Sequence, residues 1–378
     1  MKFLKKLFEN SLSIIFILIL IIPNINSITG IMKFERKEEN RNFKNNLEID
    51  IRHLDKFPKE FNTYINDNFS FRTPMLEIYH YLKFSSFKIS PHPDKTIIGE
   101  NDWFFMDGKE IDIYEGKWDF SEKKLEKYKK EWNRRKKYLD AKNIKFYWII
   151  APFKHYIYPE HLPFYFYKSK KKRRAIQLKK YLKDDFDDFI IDPVPELLKH
   201  KNKKLFYKLD NHWNFNSGKI AAELLINKIK KDFPEKNIPD IPNYKWDTMT
   251  IQKGFHYNVM AIESLKELDE FPIIENINSI KTKNYGFPCI KGFAYPWAYE
   301  KNFKNDSINN GLKVLFIRDS FGKQLLPFIR ESFKESLLIF DAWRYKLNEP
   351  IIKKFKPDII VFIGLETHLE AIISDKKH

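Results

Sequence analysis

Serine, histidine and aspartate are the residue types that together make a hydroxyl nucleophilic. This chain places them in two short stretches, Asp210-Asn211-His212-Trp213 and Asp319-Ser320-Phe321. A serine hydroxyl is a weak nucleophile until an imidazole takes its proton. The imidazole in turn needs a carboxylate to fix its tautomer and stabilise its charged form. Asp210 and His212, two apart in one loop, can form that pair in a turned backbone, and Ser320 would supply the hydroxyl. Each stretch also has a plainer reading. Ser320 stands where a serine can cap a helix, and an Asp-x-His loop can be a turn cap beside a surface histidine, although Trp213 makes the tetrapeptide rarer. The pair also offers two metal ligands, but no His-Glu-x-x-His or His/Cys cluster completes a site, so no metal is expected. No phosphate-binding glycine loop and no Gly-x-Ser-x-Gly elbow is present, which removes support for nucleotide binding and for an ordinary α/β-hydrolase.

The elements that must position these residues are legible as runs of one type. Residues 144–150 are a continuous apolar and aromatic run of strand length, as expected of a strand buried on both faces, and 189–191, 313–317, 336–340 and 358–363 read as further strands. They alternate with helical stretches at 121–141, 174–182, 194–200, 217–231, 321–334 and 349–355. This predicts an α/β fold with a doubly wound, mostly parallel sheet and helices on both faces. Ligands of such sheets gather beyond the carboxyl ends of the strands. Ser320 falls there, with following backbone N–H groups able to join an oxyanion hole. Asn216 or Ser217 is the expected N-cap of the helix after His212. Trp213, Lys154, Tyr156, Arg318, Glu366 and His368 are the candidate substrate contacts, with loop or cap roles as the alternatives. Upstream, Thr96–Ile98 and 103–106 predict two short strands about the turn 100–102. Residues 55–88 predict helix interrupted near Pro74, with Phe57, Phe61, Tyr64, Ile65, Phe69, Tyr79, Leu82 and Phe87 as core positions. The stretch 232–310, rich in Pro, Asn and aromatics, reads as an excursion between core elements.

At the N-terminus, Lys2, Lys5 and Lys6 precede an apolar run at 12–22 that Pro23 is expected to end, and Asn10 to Met32 carries no charge. Such a stretch can span a bilayer, and every face of 14–22 is apolar, which argues against a buried core helix. Without a clear cleavage site it reads as an uncleaved signal anchor over 1–32. A charged tether at 33–50 and a domain over 51–378 follow. Lys33, Arg36, Lys37 and Arg41 flank the outer end, so charge alone leaves the orientation open. The net charge of +17 favours anionic partners. The joint enrichment of Lys, Ile, Asn and Phe points to compositional bias rather than to a nucleic-acid surface. The one charge run, Lys168 to Arg174, reads as a solvated loop or helix start. The single cysteine, Cys289, excludes an intrachain disulfide and a cysteine zinc cage.

Four segments together resemble the alginate O-acetyltransferase proteins of AlgJ/AlgX type, an SGNH-hydrolase-like family. They are Asp67-Asn-Phe-Ser-Phe-Arg72; Gly99-Glu-Asn-Asp-Trp-Phe-Phe105; Ala151-Pro-Phe-Lys-His-Tyr-Ile-Tyr-Pro-Glu-His-Leu-Pro163; and Leu209-Asp-Asn-His-Trp-Asn214 paired with Ile317-Arg-Asp-Ser-Phe-Gly322. The resemblance spans about residues 50 to 370 and is weakest over 232–310. It implies an SGNH-like fold and no cofactor, with Ser320 as nucleophile, His212 as general base and acid, and Asp210 as its orienter. It also implies ping-pong acetyl transfer to a polysaccharide hydroxyl outside the cytoplasmic membrane, with a membrane-bound O-acyltransferase as donor partner. Two departures stand out: Arg318 replaces a glycine before Asp-Ser, and Asn101-Asp102 replaces an Asp-Gly turn. An esterase or deacetylase with the same three residues is the alternative. A non-catalytic polysaccharide-binding component of an export complex is the other, although a pure binder has no need of all three residues.

Overall fold

Period-two burial organises the main sheet. Tyr147, Ile149 and Ala151 pack on one face of their strand, and Phe146, Trp148 and Ile150 on the other. The strands at 313–318 and 359–365 divide in the same way. The computed structural model describes residues 10–34, 42–186, 188–287, 300–341 and 343–374. Cys289 lies outside them, as does part of the expected tether. Within the described residues the chain separates into two compact units. One comprises the residues up to Pro93 together with Tyr257–Leu265; the other comprises Asp94–His256 and Lys266 onward.

The first unit is helical. Helix α1, Ser11–Thr29, is apolar and long enough to cross a membrane, at about 28 Å. It runs through Pro23 instead of ending there. The side chains of Asn24 and Ser27 fold back onto the carbonyls of Leu20 and Pro23, and Gly30 closes the helix at φ +63°. Helices α2, Phe57–Asn68, and α3, Arg72–Phe87, follow. The break falls at 69–71. Pro74 sits in the first turn of α3, where a missing N–H breaks no helical bond. The core expected here is corrected: Phe61, Ile65, Tyr79, Leu82 and Phe87 are exposed, and Phe57, Tyr64 and Phe69 are half-buried. Apolar residues are spread around both helices, and one neighbour covers only one face. Part of the expected tether is tied down, with the Lys44 N–H donating to buried Asp67 at 2.9 Å.

The second unit starts at Asp94. Strands β1, Thr96–Ile98, and β2, Phe104–Met106, pair antiparallel about Asn101 and Asp102, which both take positive φ. Helix α4, Glu122–Asp140, is N-capped by Ser121 and buries Tyr128, Trp132 and Leu139. Next come β3, Lys145–Ala151; helix α5, Arg174–Leu182; β4, Ile190–Ile191; and helix α6, Phe215–Asp232. The stretch 232–310 is more than an excursion. It forms an antiparallel pair, β5, Lys245–Ile251, and β6, Glu267–Ile273. It also supplies β7, Ile280–Lys281, and β8, Glu300–Lys304, to the main sheet. Strands β9, Lys313–Arg318, and β10, Glu335–Phe340, helix α7, Glu349–Phe355, and β11, Ile359–Leu365, complete the unit. The seven-stranded order is β4-β3-β11-β9-β10-β8-β7. The first five strands are parallel, β8 adds antiparallel to β10, and β7 forms the edge antiparallel to β8. Helix α6 packs in one core layer; α4, α5 and α7 pack in the other.

Just beyond β2 a buried acid faces a buried base. Glu110 lies 3.5 Å from His155 Nδ1, and His155 Nε2 donates to the Met106 carbonyl at 3.0 Å. Burial pushes the Glu110 carboxyl up to about 8 against the opposing charge of Lys154, and burial pushes His155 down to about 3. Between pH 4.5 and 8 the folded chain therefore holds a proton on Glu110 that the unfolded chain has lost, so the Glu110 contribution to stability falls as pH rises through that window. His155, neutral in the folded chain, contributes the opposite slope between pH 3 and 6.5. Glu110→Gln removes this term. Urea unfolding at pH 5 and pH 8 should show the variant gaining stability relative to wild type at the higher pH; an unchanged difference would refute the protonated state.

Candidate active site

Two loops meet at the carboxyl edge of the sheet. The first is a tight hairpin. Phe206 and Trp213 form a bridge, the Tyr207 N–H donates to the His212 carbonyl at 3.2 Å, and the Asn214 N–H donates to Leu205 at 3.0 Å. Asn214 caps α6 by accepting the N–H groups of Asn216 and Ser217, the two residues expected to be the cap themselves. Inside the hairpin, Asp210 Oδ1 accepts the His212 backbone N–H at 2.8 Å and the His212 Nδ1–H. Its Oδ2 accepts the Phe255 N–H at 2.9 Å. Gly254 makes that approach possible. Its φ is +123°, and a Cβ there would stand 2.6 Å from Asp210 Oδ2. Burial pushes the Asp210 carboxyl up, but the His212 ring and the N–H groups of His212 and Phe255 outweigh it and hold the pKa well below the usual range.

The second loop presents the hydroxyl. His212 Nε2 lies 2.7 Å from Ser320 Oγ. With Nδ1–H given to Asp210, Nε2 carries the lone pair and accepts the Ser320 O–H. The side chains of His212 and Asp210 are 24% and 19% exposed, so the array can be reached from solvent. Buried Asp319 sets the turn. Its Oδ1 accepts the Phe321 N–H at 2.9 Å, and its Oδ2 accepts the Tyr345 O–H and the Leu365 N–H, each at 2.7 Å. Asp319 is thus the cap, and Ser320 is left to His212. The expectation of free N–H groups beyond Ser320 is corrected as well: Phe321 and Gly322 both donate to Asp319. The expected helix 321–334 is a 3₁₀ turn, Ser320–Lys323, followed by a separate helix, Leu326–Ile329, with Pro327 in its first turn. Burial raises the Asp319 pKa, but His368, Tyr345 and the Leu365 N–H outweigh it and hold the carboxyl low.

Most of the expected substrate contacts are braces instead. Trp213 is fully buried and donates its indole N–H to the Phe321 carbonyl at 2.8 Å, tying the two loops together. Lys154, 1% exposed, donates to three carbonyls: Phe104 at 2.6 Å, Asp210 at 2.7 Å and Lys208 at 3.2 Å. Burial pulls its ammonium down to about 7 against the carboxylates of Glu267, Asp210 and Glu110. Arg318 is buried beneath the turn with its guanidinium over Phe340. Gly322 leaves it room, since a Cβ there would lie 2.6 Å from Arg318 Cδ. Burial lowers the Arg318 pKa to about 10. Glu366 is buried and accepts from Arg173 at 2.9 Å and from the Ala175 N–H at 3.0 Å. Tyr156 is buried beside the Arg173 guanidinium. His368 keeps 36% of its side chain exposed, with Nδ1 3.8 Å from Asp319 Oδ2, and is the one of these six that solvent reaches freely. Among the described residues no group of three His, Cys, Asp or Glu side chains could hold a metal. Sequence reasoning missed Asp319, Tyr345 and Gly254. A charged residue directly before a candidate nucleophile and a glycine in a glycine-poor chain were the available signals.

Residues 96–255 match the model of the SGNH hydrolase-like domain of acetyltransferase AlgX. This stretch is similar to that domain, over fewer than half of the chain's residues. Among solved structures, Bacillus cereus PatB1 superposes with a TM-score of 0.53 at 16% identity, over 75% of this chain and 100% of that one. The O-acetyltransferase domain of Pseudomonas putida AlgJ gives 0.45 at 13% identity, over 75% of this chain and 94% of that one. Pseudomonas aeruginosa AlgX gives 0.44 at 11% identity, over 74% and 66%. No curated protein matches the sequence. The matched stretch includes the Asp210–His212 loop, and the PatB1 likeness bears on the fold alone.

Lys154→Met keeps the apolar stem but leaves three carbonyls without their donor. Urea denaturation should show a loss of about 2–4 kcal/mol. A loss below about 0.5 kcal/mol, the usual size of a surface substitution, would contradict the bracing role.

Proposed function

We propose that this chain is a membrane-anchored, extracytoplasmic O-acetyltransferase that moves acetyl groups onto polysaccharide hydroxyls through an acetyl-serine intermediate. The observation that carries the reading is the continuous path from Asp210 through His212 to Ser320, with His212 Nε2 2.7 Å from the hydroxyl. The AlgX-type domain supports the acyl chemistry, and apolar α1 supports an anchor placing the domain outside the cytoplasmic membrane. Ser320 Oγ attacks the donor carbonyl carbon as its proton passes to His212 Nε2. Asp210, held ionised by its N–H donors, stabilises the imidazolium. The donor's acyl bond breaks, and the leaving group takes the proton from His212. A sugar hydroxyl then gives its proton to His212 and attacks the acetyl carbon, the bond from Ser320 Oγ to the acetyl carbon breaks, and His212 returns the proton to Oγ. By its resemblance to the AlgJ/AlgX type, the chain receives acetyl from a membrane-bound O-acyltransferase partner, at the cytoplasmic (inner) membrane.

An esterase or deacetylase with the same residues is the second reading, favoured by the partial exposure of His212, which lets water compete. Incubation with an activated acetyl ester should add one acetyl group to Ser320, detectable by peptide mass spectrometry. Ser320→Ala and His212→Ala should each lower turnover by about a thousandfold or more. Product analysis with and without acceptor polymer separates the two readings: acetate alone under both conditions would exclude transfer.

A further inference from the structure

The charge run at Lys168 to Arg174 borders a cavity of about 340 Å³ whose lining includes Tyr114, Tyr156 and every residue of the run. The loop bearing it is pinned. The Ser169 N–H donates to the Tyr114 carbonyl at 2.9 Å, the Lys171 N–H to Ser169 Oγ at 3.2 Å, and Gln177 Nε2 to the Lys172 carbonyl at 2.6 Å. Its two arginines are engaged in braces, Arg173 with Asp192 and Glu366, and Arg174 with Glu370. Lys171 pairs with Asp119 at 2.5 Å. Lys168, Lys170 and Lys172 are exposed and have no carboxylate partner among the described residues. A fixed loop that holds several cations together pays for their mutual repulsion, and an anion between them relieves it. Directly upstream, Phe164, Tyr165 and Tyr167 are 87%, 56% and 71% exposed, an unusual display of flat apolar faces beside ammonium groups.

We infer that this loop and its cavity bind an anionic stretch of polysaccharide, with Lys168, Lys170 and Lys172 on its carboxylate or phosphate groups and the aromatics against its sugar rings. The inference rests on the proposed transferase reading, for which this is an acceptor subsite. A run of buried hydrogen bonds links the cavity wall to the candidate active site: Arg173 holds Glu366, and the preceding Leu365 N–H holds Asp319, the neighbour of Ser320. A polymer lying in the cavity therefore occupies the same carboxyl edge of the sheet as the hydroxyl it would approach.

The test uses the full chain in phosphatidylcholine nanodiscs and calorimetric titration with three probes: a hexamer of galacturonic acid, a glycerol phosphate oligomer and neutral cellohexaose. At least one anionic probe should bind, and more weakly as salt rises. Lys170→Ala with Lys172→Ala should weaken that binding about tenfold. The two anionic arms distinguish carboxylate from phosphate. Equal binding of cellohexaose, or an unchanged anion affinity in the double variant, overturns the inference. A tighter, lysine-dependent response to short-chain phosphatidylglycerol would assign the loop to lipid and overturn it as well. Cleavage of an activated acetyl ester should stay at the wild-type rate in the double variant. Ser320→Ala should bind polymer normally while losing that cleavage, so a Ser320→Ala variant that retains cleavage would fault the transferase reading and leave the binding result standing.

Discussion

The carboxylate of Asp319 has no access to water, and a buried charge is tolerated only where hydrogen bonds replace its hydration. Those bonds come from three places: the Phe321 N–H on its own turn, the Leu365 N–H at the end of a neighbouring strand, and the Tyr345 hydroxyl beyond a third. Satisfying all of them fixes the backbone at the end of β9, and with it the direction in which Ser320 leaves the sheet. Asp210 repeats the logic on the facing loop, where two backbone N–H groups and an imidazole share one carboxylate. The indole of Trp213 then ties one turn to the other.

Cations around the site divide by burial. Lys154, Arg318 and Arg173 are buried, and each is committed to carbonyls, an aromatic face or carboxylates, so they stiffen the loops and are not offered to a ligand. The lysines of the 168–172 run are exposed. The large positive charge of the chain is thus partly a scaffold, and formal charge counted along the sequence does not separate the two uses.

The central strands were legible because strands buried on both faces are apolar along nearly their whole length, as at 146–151 and 359–365. The Asp210, His212 and Ser320 array was legible because few sequences set those residue types beside Trp and between strand and helix. Strand β8 was not. Glu300, Lys301 and Asn302 resemble a surface loop, yet Glu300 and Asn302 are buried and pair with β10. Lys154 misled for a related reason. A lysine after a strand is normally solvated, and nothing local reveals that three carbonyls from two distant segments converge on it. In the first unit, apolar residues suggested a core where the helices leave them exposed, because sequence reveals apolarity but not how many neighbours arrive to cover it.

The partial openness of His212 has a kinetic corollary. A group resting on Ser320 would face bulk water for as long as it remained there, so the fate of each activated group becomes a race between solvent and a tethered nucleophile. On the proposed transferase reading, a site this open can favour the second outcome without sealing itself, provided a long chain is already moored nearby and its hydroxyls revisit the serine faster than water reacts. Selectivity would then reside in residence time along the surface, and shortening the polymer would divert the same chemistry toward waste.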